Sequence, residues 1–302
     1  MPPRLERIPA SPALPADLDA HIAAVETRAS EQYPLIPGTE KRIRWQTPGQ
    51  KTEFAVVYLH GFSGTRQGLA PVPDRLADAL SANLFETRLA GHGRASGGLE
   101  AVRAEDWLAD AAEALAIGSR LGDRVIVLGT STGATLAMAM AGEPAMADVA
   151  AIIMVSPNFR PFDPTSAWIT RPGGPWLLRM LIGDSHSFEP ANDQQARFWT
   201  TTYPATAIVE MMRLVDFVDA KLPFSFGQPL LTLYSANDLV VSPAATLEAL
   251  NSLDAPMKEV IDVGEVGDRM NHLLAGDILS PESTDRITNI VIDFVLSLPA
   301  AE

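Results

Sequence analysis

Hydrophobic positions along this chain keep two rhythms. The run FAVVYLH at 54–60 is β-branched, aromatic or apolar almost throughout, the pattern of a strand buried on both faces, and such strands belong to parallel sheets. Strands and helices are then predicted in turn: a helix near 68–81, the strand NLFETRL, a helix near 104–120, the strand RVIVL, the helix ATLAMAMAG and the strand VAAIIMVS. Between Pro157 and Pro229 the rhythm breaks. This stretch has Pro and Gly at 171–175 together with Trp168, Trp176, Phe188, Phe198 and Trp199, and its periodicity is helical, so it reads as a helical insertion. Alternation resumes with PLLTLYS, the helix PAATLEALNSL, the strand KEVIDV and a last helix in which Ile287, Ile290, Val291, Phe294 and Val295 share one face.

Ahead of this block lies a proline-rich arm over residues 1–15, then a helix in which Leu18, Ile22, Val25 and Ala29 recur at helical spacing. The turn PLIPGTE and the segment KRIRWQ follow. Repeated strand–helix alternation indicates a mostly parallel α/β sheet covered by helices on both faces. The expected divisions are residues 1–40 for arm and helix, 41–157 and 229–302 for the two parts of the α/β core, and 158–228 for the insertion.

Composition narrows the functions. The 302 residues permit one large core or two modest ones. The charge of −14, from 23 basic and 37 acidic residues, disfavours a nucleic-acid partner, which needs clustered Lys and Arg. There is no cysteine, which removes disulfides, thiolate metal sites and cysteine nucleophiles. The N-terminal residues MPPRLERIPASPALPADL hold no continuous apolar run of the secretory type, and no uncharged apolar stretch reaches membrane-spanning length. A soluble, cytoplasmic protein without stable membrane insertion is expected. The pattern is silent on oligomeric state.

The sharpest chemical signal is GTSTG at 129–133. A Gly-x-Ser-x-Gly match arises by chance in about one chain in ten of this length, so context decides its weight. Here it lies between a predicted strand and a predicted helix, where small flanking residues lift a hydroxyl out of the sheet and the helix N-terminus favours a developing anion. The plain alternative is a turn with Ser131 as helix cap.

A serine nucleophile needs a base, and the base needs an orienting carboxylate. Of the five histidines, His21 reads as a surface residue of the N-terminal helix, His186 as a solvated loop residue, and His60 and His92 as members of turns directly after strands. His272 follows the last strand, on the carboxyl edge of the sheet that also carries Ser131, where open α/β sheets bind ligands. Asp238 ends the run before that strand and lies on the same edge, whereas Asp216 and Asp219 fall in the insertion, Asp254 in a loop and Asp262 in a strand. Asp268, four residues before His272, is the serious competitor.

With YLHGFSGT at 58–65, RLAGHGRASG at 88–97, GTSTG at 129–133, SANDLVVSP at 235–243 and NHLLAGD at 271–277, in that order, the chain resembles the α/β-hydrolase superfamily. More closely it resembles the superfamily's lid-bearing serine esterases of the monoacylglycerol lipase and lysophospholipase kind. The resemblance runs from about residue 41 onward. It implies an α/β-hydrolase fold, a catalytic triad of Ser131, Asp238 and His272, and an oxyanion hole from the backbone N–H groups of Phe62 and Thr132. It assigns His60 to shaping the oxyanion loop and His92 to its own turn, and it makes 158–228 a helical lid. Thr130 and Thr132 depart from the bulkier residues or histidine of many relatives, Leu239 stands where some esterases have a second acid, and residues 1–40 lie outside the common core.

The expected function is hydrolysis of a small or lipid-like apolar acyl ester, with no cofactor and no metal. A lid with two tryptophans in AWITRPGGPWLLRMLIG suits an apolar group, since burying each CH₂ yields about 0.8 kcal/mol; equally, these side chains could form the lid's own core. Rival readings keep the triad for acyl transfer or for amide or C–C bond hydrolysis, or make the chain a non-catalytic binder of a small ligand.

Overall fold

The computed structural model describes residues 4–94 and 97–299. Residues 1–3 of the predicted arm, 300–302, and Ala95 and Ser96 of the RLAGHGRASG stretch lie outside the described residues. The first half of the chain folds as α1 (Leu18–Gln32), β1 (Arg42–Arg44), β2 (Thr52–Leu59), α2 (Val72–Ala79), β3 (Asn83–Glu86), α3 (Ala104–Leu121), β4 (Gly122–Thr130), α4 (Thr132–Ala139) and β5 (Val149–Val155). It continues as α5 (Gly174–Ile182), β6 (Ser185–Ser187), α6 (Asp193–Phe198), β7 (Thr202–Pro204), α7 (Ala205–Asp219) and β8 (Phe224–Ser225). The last part holds β9 (Leu230–Tyr234), α8 (Pro243–Asn251), β10 (Leu253–Asp254), β11 (Lys258–Asp262) and α9 (Pro281–Leu296).

Seven strands form the central sheet in the order β1-β3-β2-β4-β5-β9-β11. All neighbours are parallel except β1, which runs antiparallel on the edge beside β3. This is the α/β-hydrolase fold, with a mostly parallel sheet and helices on both faces. The chain leaves β2 for β3 on one side and returns past it to β4 on the other, so β2 and β4 flank the point where strand order reverses. A crevice opens at such a point beyond the carboxyl ends of the strands.

Alternating side chains serve the two faces. In β2, Ala55, Val57 and Leu59 join Trp107 and Leu108 of α3, Leu136 of α4 and Leu18 and Ile22 of α1 in one apolar cluster. Val56 and Tyr58 point the other way, to Leu76 of α2 and Ile287, Val291 and Phe294 of α9. The predicted N-terminal helix thus buries its predicted face, and Asp17 caps it by accepting the Ala20 N–H at 2.9 Å.

Residues 158–228 contain three α-helices and a short 3-10 helix at Pro164–Trp168, but also β6 and β7, paired antiparallel, and β8, paired with β10. The helical periodicity omits these strands because two or three residues are too short for an alternation to register. α7 puts Met212, Leu214 and Val215 into the cluster of α3 and α4. α5 instead leaves Trp176, Leu177, Met180 and Leu181 exposed, beside an exposed Trp168. No helix among the described residues is long and apolar enough to cross a membrane.

Candidate functional site

β4 ends at Thr130 and α4 begins at Thr132, so Ser131 alone makes the turn, with φ 53° and ψ −118°. The neighbouring glycines make this possible. A Cβ on Gly129 would lie 2.7 Å from the backbone of Ala134, and one on Gly133 would run into the Leu59 carbonyl oxygen. The Ser131 side chain makes no capping hydrogen bond. Its backbone is held instead: its N–H donates to Val155 O at 2.9 Å, and its carbonyl accepts from Ala134, Thr135 and Asn158. A non-glycine residue at positive φ costs on the order of 1–3 kcal/mol and persists where its surroundings over-determine it. Of the five such residues among those described, four lie around this edge of the sheet: Ser63, Ser131, Ser156 and Asn271.

Asp238 follows β9 and is buried. Its Oδ1 accepts the N–H groups of Val240 and Val241 at 2.8 and 2.9 Å, and its Oδ2 meets Nδ1 of the buried His272 ring at 2.8 Å. Asp268 binds the backbone of the same histidine: Oδ2 accepts from the N–H groups of His272 and Leu273 at 3.0 and 2.9 Å, and Oδ1 from Met270 at 3.2 Å. The ring and the loop are therefore served by different aspartates. Ser156 Oγ donates to the His272 carbonyl at 2.7 Å, beside the Val155 carbonyl that holds Ser131, so the carboxyl end of β5 anchors both residues. A carboxylate at Nδ1 fixes the proton there and leaves Nε2 as the basic nitrogen.

The loop after β2 closes the third side. A Cβ on Gly61 would lie 3.2 Å from Ser131 Cβ and 3.8 Å from its Oγ, so glycine lets the loop approach the serine without crowding it. Next to it the Phe62 ring packs edge-on against Tyr203, Trp107 and His92, with centroids 4.9, 5.8 and 5.9 Å away. Thr132 opens α4 beside Ser131 and is buried. Its Oγ1 and the Oδ1 of Asn158 are buried without a hydrogen-bond partner among the described residues. Asn158 is a site residue that the motifs did not single out; the signal available was SPN directly after the fifth strand of the sheet.

The remaining candidates are placed elsewhere. His21 is half-buried and pairs with Glu113 at 2.9 Å, which corrects the expectation of a surface residue. His186 belongs to β6 and packs on the Tyr203 ring, so it is not a solvated loop residue. Asp216 accepts from the Thr170 hydroxyl at 2.5 Å, Asp262 accepts two backbone N–H groups, Asp219 is exposed at the end of α7, and Asp254 is in β10. His60 and His92 are fully buried, and burial is the main reason that both titrate low, His60 well below the usual histidine value and His92 at about 4. Both rings are therefore neutral at pH 7. No group of three or more His, Asp or Glu residues among those described is placed to hold a metal ion.

Beyond the Asn158 and Tyr203 contacts, backbone hydrogen bonds from residues 158–228 reach the loops of this site. Thr200 N–H donates to Ser63 O at 2.7 Å next to Phe62, and Phe162 N–H donates to Val240 O at 2.9 Å next to Asp238.

Comparison with known structures finds the same fold in lipolytic proteins. One of the metagenome-derived lipolytic enzymes LipS and LipT superposes with a TM-score of 0.71 at 21% identity, over 87% of this chain and 99% of its own. A monoacylglycerol lipase of Paleococcus ferrophilus gives 0.61 at 14% identity, over 85% and 98%. A soluble variant of the Saccharomyces cerevisiae monoglyceride lipase gives 0.63 at 14%, over 87% and 92%. No curated protein sequence matches the chain. Residues 56–280, most of the chain, match the model of the alpha/beta hydrolase family. With its seven-stranded sheet and the reversal of strand order beside Ser131, the chain belongs to the alpha/beta hydrolase family.

Proposed function

We propose that the protein is a serine carboxylic ester hydrolase acting on a small or lipid-like acyl ester. The observation that carries this reading is the 2.8 Å bond between Asp238 and the ring of His272, on the sheet edge where Ser131 makes the strand-to-helix turn at positive φ. Ser131 Oγ attacks the ester carbonyl while His272 Nε2 takes its proton. The Phe62 and Thr132 N–H groups receive the charge on the carbonyl oxygen, and donors aimed at such an oxyanion lower the barrier by a few kcal/mol each. His272 then returns the proton to the leaving alcohol. Water, deprotonated by the same nitrogen, releases the acid from the acyl-enzyme and restores Ser131. Asp238 keeps the His272 proton on Nδ1 and stabilises the imidazolium. No step calls for a cofactor.

The lipolytic and monoacylglycerol lipase neighbours support an ester with an apolar acyl part, although their identity to this chain is at most 21% among those compared above. Residues 158–228, which lean on both the Phe62 and the Asp238 loops, serve in this reading as the lid. The test uses p-nitrophenyl acyl esters and a fluorophosphonate probe. The native protein is expected to turn over the esters and to be labelled, and Ser131→Ala to lose both with its circular dichroism unchanged. Turnover retained by Ser131→Ala would sink the assignment, and an unlabelled native protein would favour a non-catalytic binder.

A further inference from the structure

The family match begins at residue 56, and the catalytic roles proposed above fall to none of α1, the segment that follows it and His92. Yet hydrogen bonds link all three to Phe62. The peptide between Gly61 and Phe62 carries the Phe62 N–H on one side and the Gly61 carbonyl on the other, because a trans peptide is planar with the two groups opposed. His60 Nδ1–H donates to that carbonyl at 2.9 Å. The next peptide, between Phe62 and Ser63, is held by His92, whose Nε2 accepts the Ser63 N–H at 3.0 Å. Both planes around Phe62 are thus pinned, each by a buried imidazole.

The imidazoles are themselves held by the loop after β3. His60 Nε2 accepts the Leu89 N–H at 3.0 Å, and His92 Nδ1–H donates to Ala90 O at 3.0 Å. α3 grips this loop from one side, with Asp110 Oδ2 on Ala90 N–H at 2.6 Å and Trp107 Nε1–H on Ala90 O at 3.0 Å. The N-terminal residues grip it from the other. Glu26 of α1 makes a two-pronged pair with the buried Arg88, both bonds 2.9 Å; Ile36 N–H donates to Gly93 O at 2.8 Å, and the Thr39 hydroxyl is shared between Ile36 O at 2.7 Å and Gly93 O at 3.1 Å. Gly93 has φ 71°, and a Cβ there would sit 2.5 Å from Thr39 Oγ1, so the fit admits glycine alone. Lys41 also binds Asp110, at 2.9 Å.

We infer that His92 is a positioning residue for the oxyanion loop, and that residues 18–41 serve as the brace that keeps it in place. The reasoning is geometric. An oxyanion donor must hold its direction to about 10–20°, which a loop achieves only when its flanking peptides are locked by packed neighbours. This inference rests on the serine hydrolase reading. A native protein that neither hydrolyses p-nitrophenyl esters nor reacts with the fluorophosphonate defeats that reading, whereas an active native protein with unaffected variants defeats only this one.

The experiment compares full-length variants on p-nitrophenyl butyrate. His92→Phe keeps a buried ring without an acceptor and is expected to lower kcat on the order of 10- to 100-fold, short of the roughly 10²–10³-fold loss on removing an oxyanion donor outright, with KM within about twofold. His92→Gln restores an acceptor and is expected to recover at least half of that loss on a logarithmic scale. The double variant Glu26→Gln, Thr39→Val loosens the brace far from the substrate; a fall of about threefold in kcat with unchanged KM is expected, and a much smaller effect in the His92→Phe background. A His92→Phe enzyme with native kcat overturns the role of His92. Should that variant fail to fold, the brace variant decides, and native kcat in it overturns the inference.

Discussion

Asp268 engages three backbone N–H groups of the 268–273 loop, while Asp238 places one oxygen on the His272 ring and the other on two N–H groups of its own loop. Their substitutions are therefore expected to fail differently. Asp238→Asn puts an amide where the histidine tautomer was set and should lower kcat by about 10⁴-fold with little change in unfolding. Asp268→Asn leaves loop N–H groups poorly satisfied and should cost about 1–3 kcal/mol in urea unfolding with a far smaller loss of kcat. The opposite ranking would transfer the orienting role to Asp268. At this scale the sequence was partly legible. Chain order singled out Ser131, Asp238 and His272, because the strand that carries each is apparent from its apolar run. It did not show His21 on Glu113 or His92 on Ser63, since those partners lie far away along the chain and hydrogen bonding across such distances leaves no local pattern.

Among elements, α5 stands apart. Its Trp176 and Leu181 are 66% and 74% exposed, whereas α7 of the same stretch is packed into the core. In the proposed lid, such side chains are available to an apolar substrate and contribute little to folding. Replacing both by Gln should change thermal stability by less than about 0.5 kcal/mol, as at exposed positions in general. It should also lower kcat/KM for p-nitrophenyl decanoate much more than for the acetate. Equal effects on both esters would remove α5 from acyl recognition. The long apolar strands and periodic helices of the hydrolase core were predictable, because burial imposes a period on them. The short strands β6, β7, β8 and β10 were not, and neither was the antiparallel direction of β1 in KRIRWQ, which only its partner β3 defines.

For the molecule as a whole, the buried neutral histidines connect the site to stability. The unfolded chain binds protons at histidine as pH falls through 6.5, while folded His92, held low by burial, does not bind them until about pH 4, and burial holds folded His60 well below the usual histidine value. The unfolded state then carries more protons, so stability is full above about pH 6.5 and declines as pH drops toward 4, by up to about 1.4 kcal/mol per pH unit for each histidine. Glu86, raised by burial, acts in the opposite direction near its own titration and lessens the slope. Urea midpoints at pH 7.0 and 5.5 should therefore show the lower value at 5.5, with a shallower difference in His92→Gln; a midpoint that rises on acidification would contradict the neutral buried pair. By itself, the sequence determined the strand–helix order of the hydrolase core, the α/β class and the edge of the sheet on which Ser131, Asp238 and His272 stand. These depend on local periodicity and on strand ends, which the chain states directly. Which aspartate meets the histidine ring, which residues hold the Phe62 peptides, and how α1 joins the loop after β3 were decided by tertiary structure, because each depends on the distance between atoms that the chain order keeps apart.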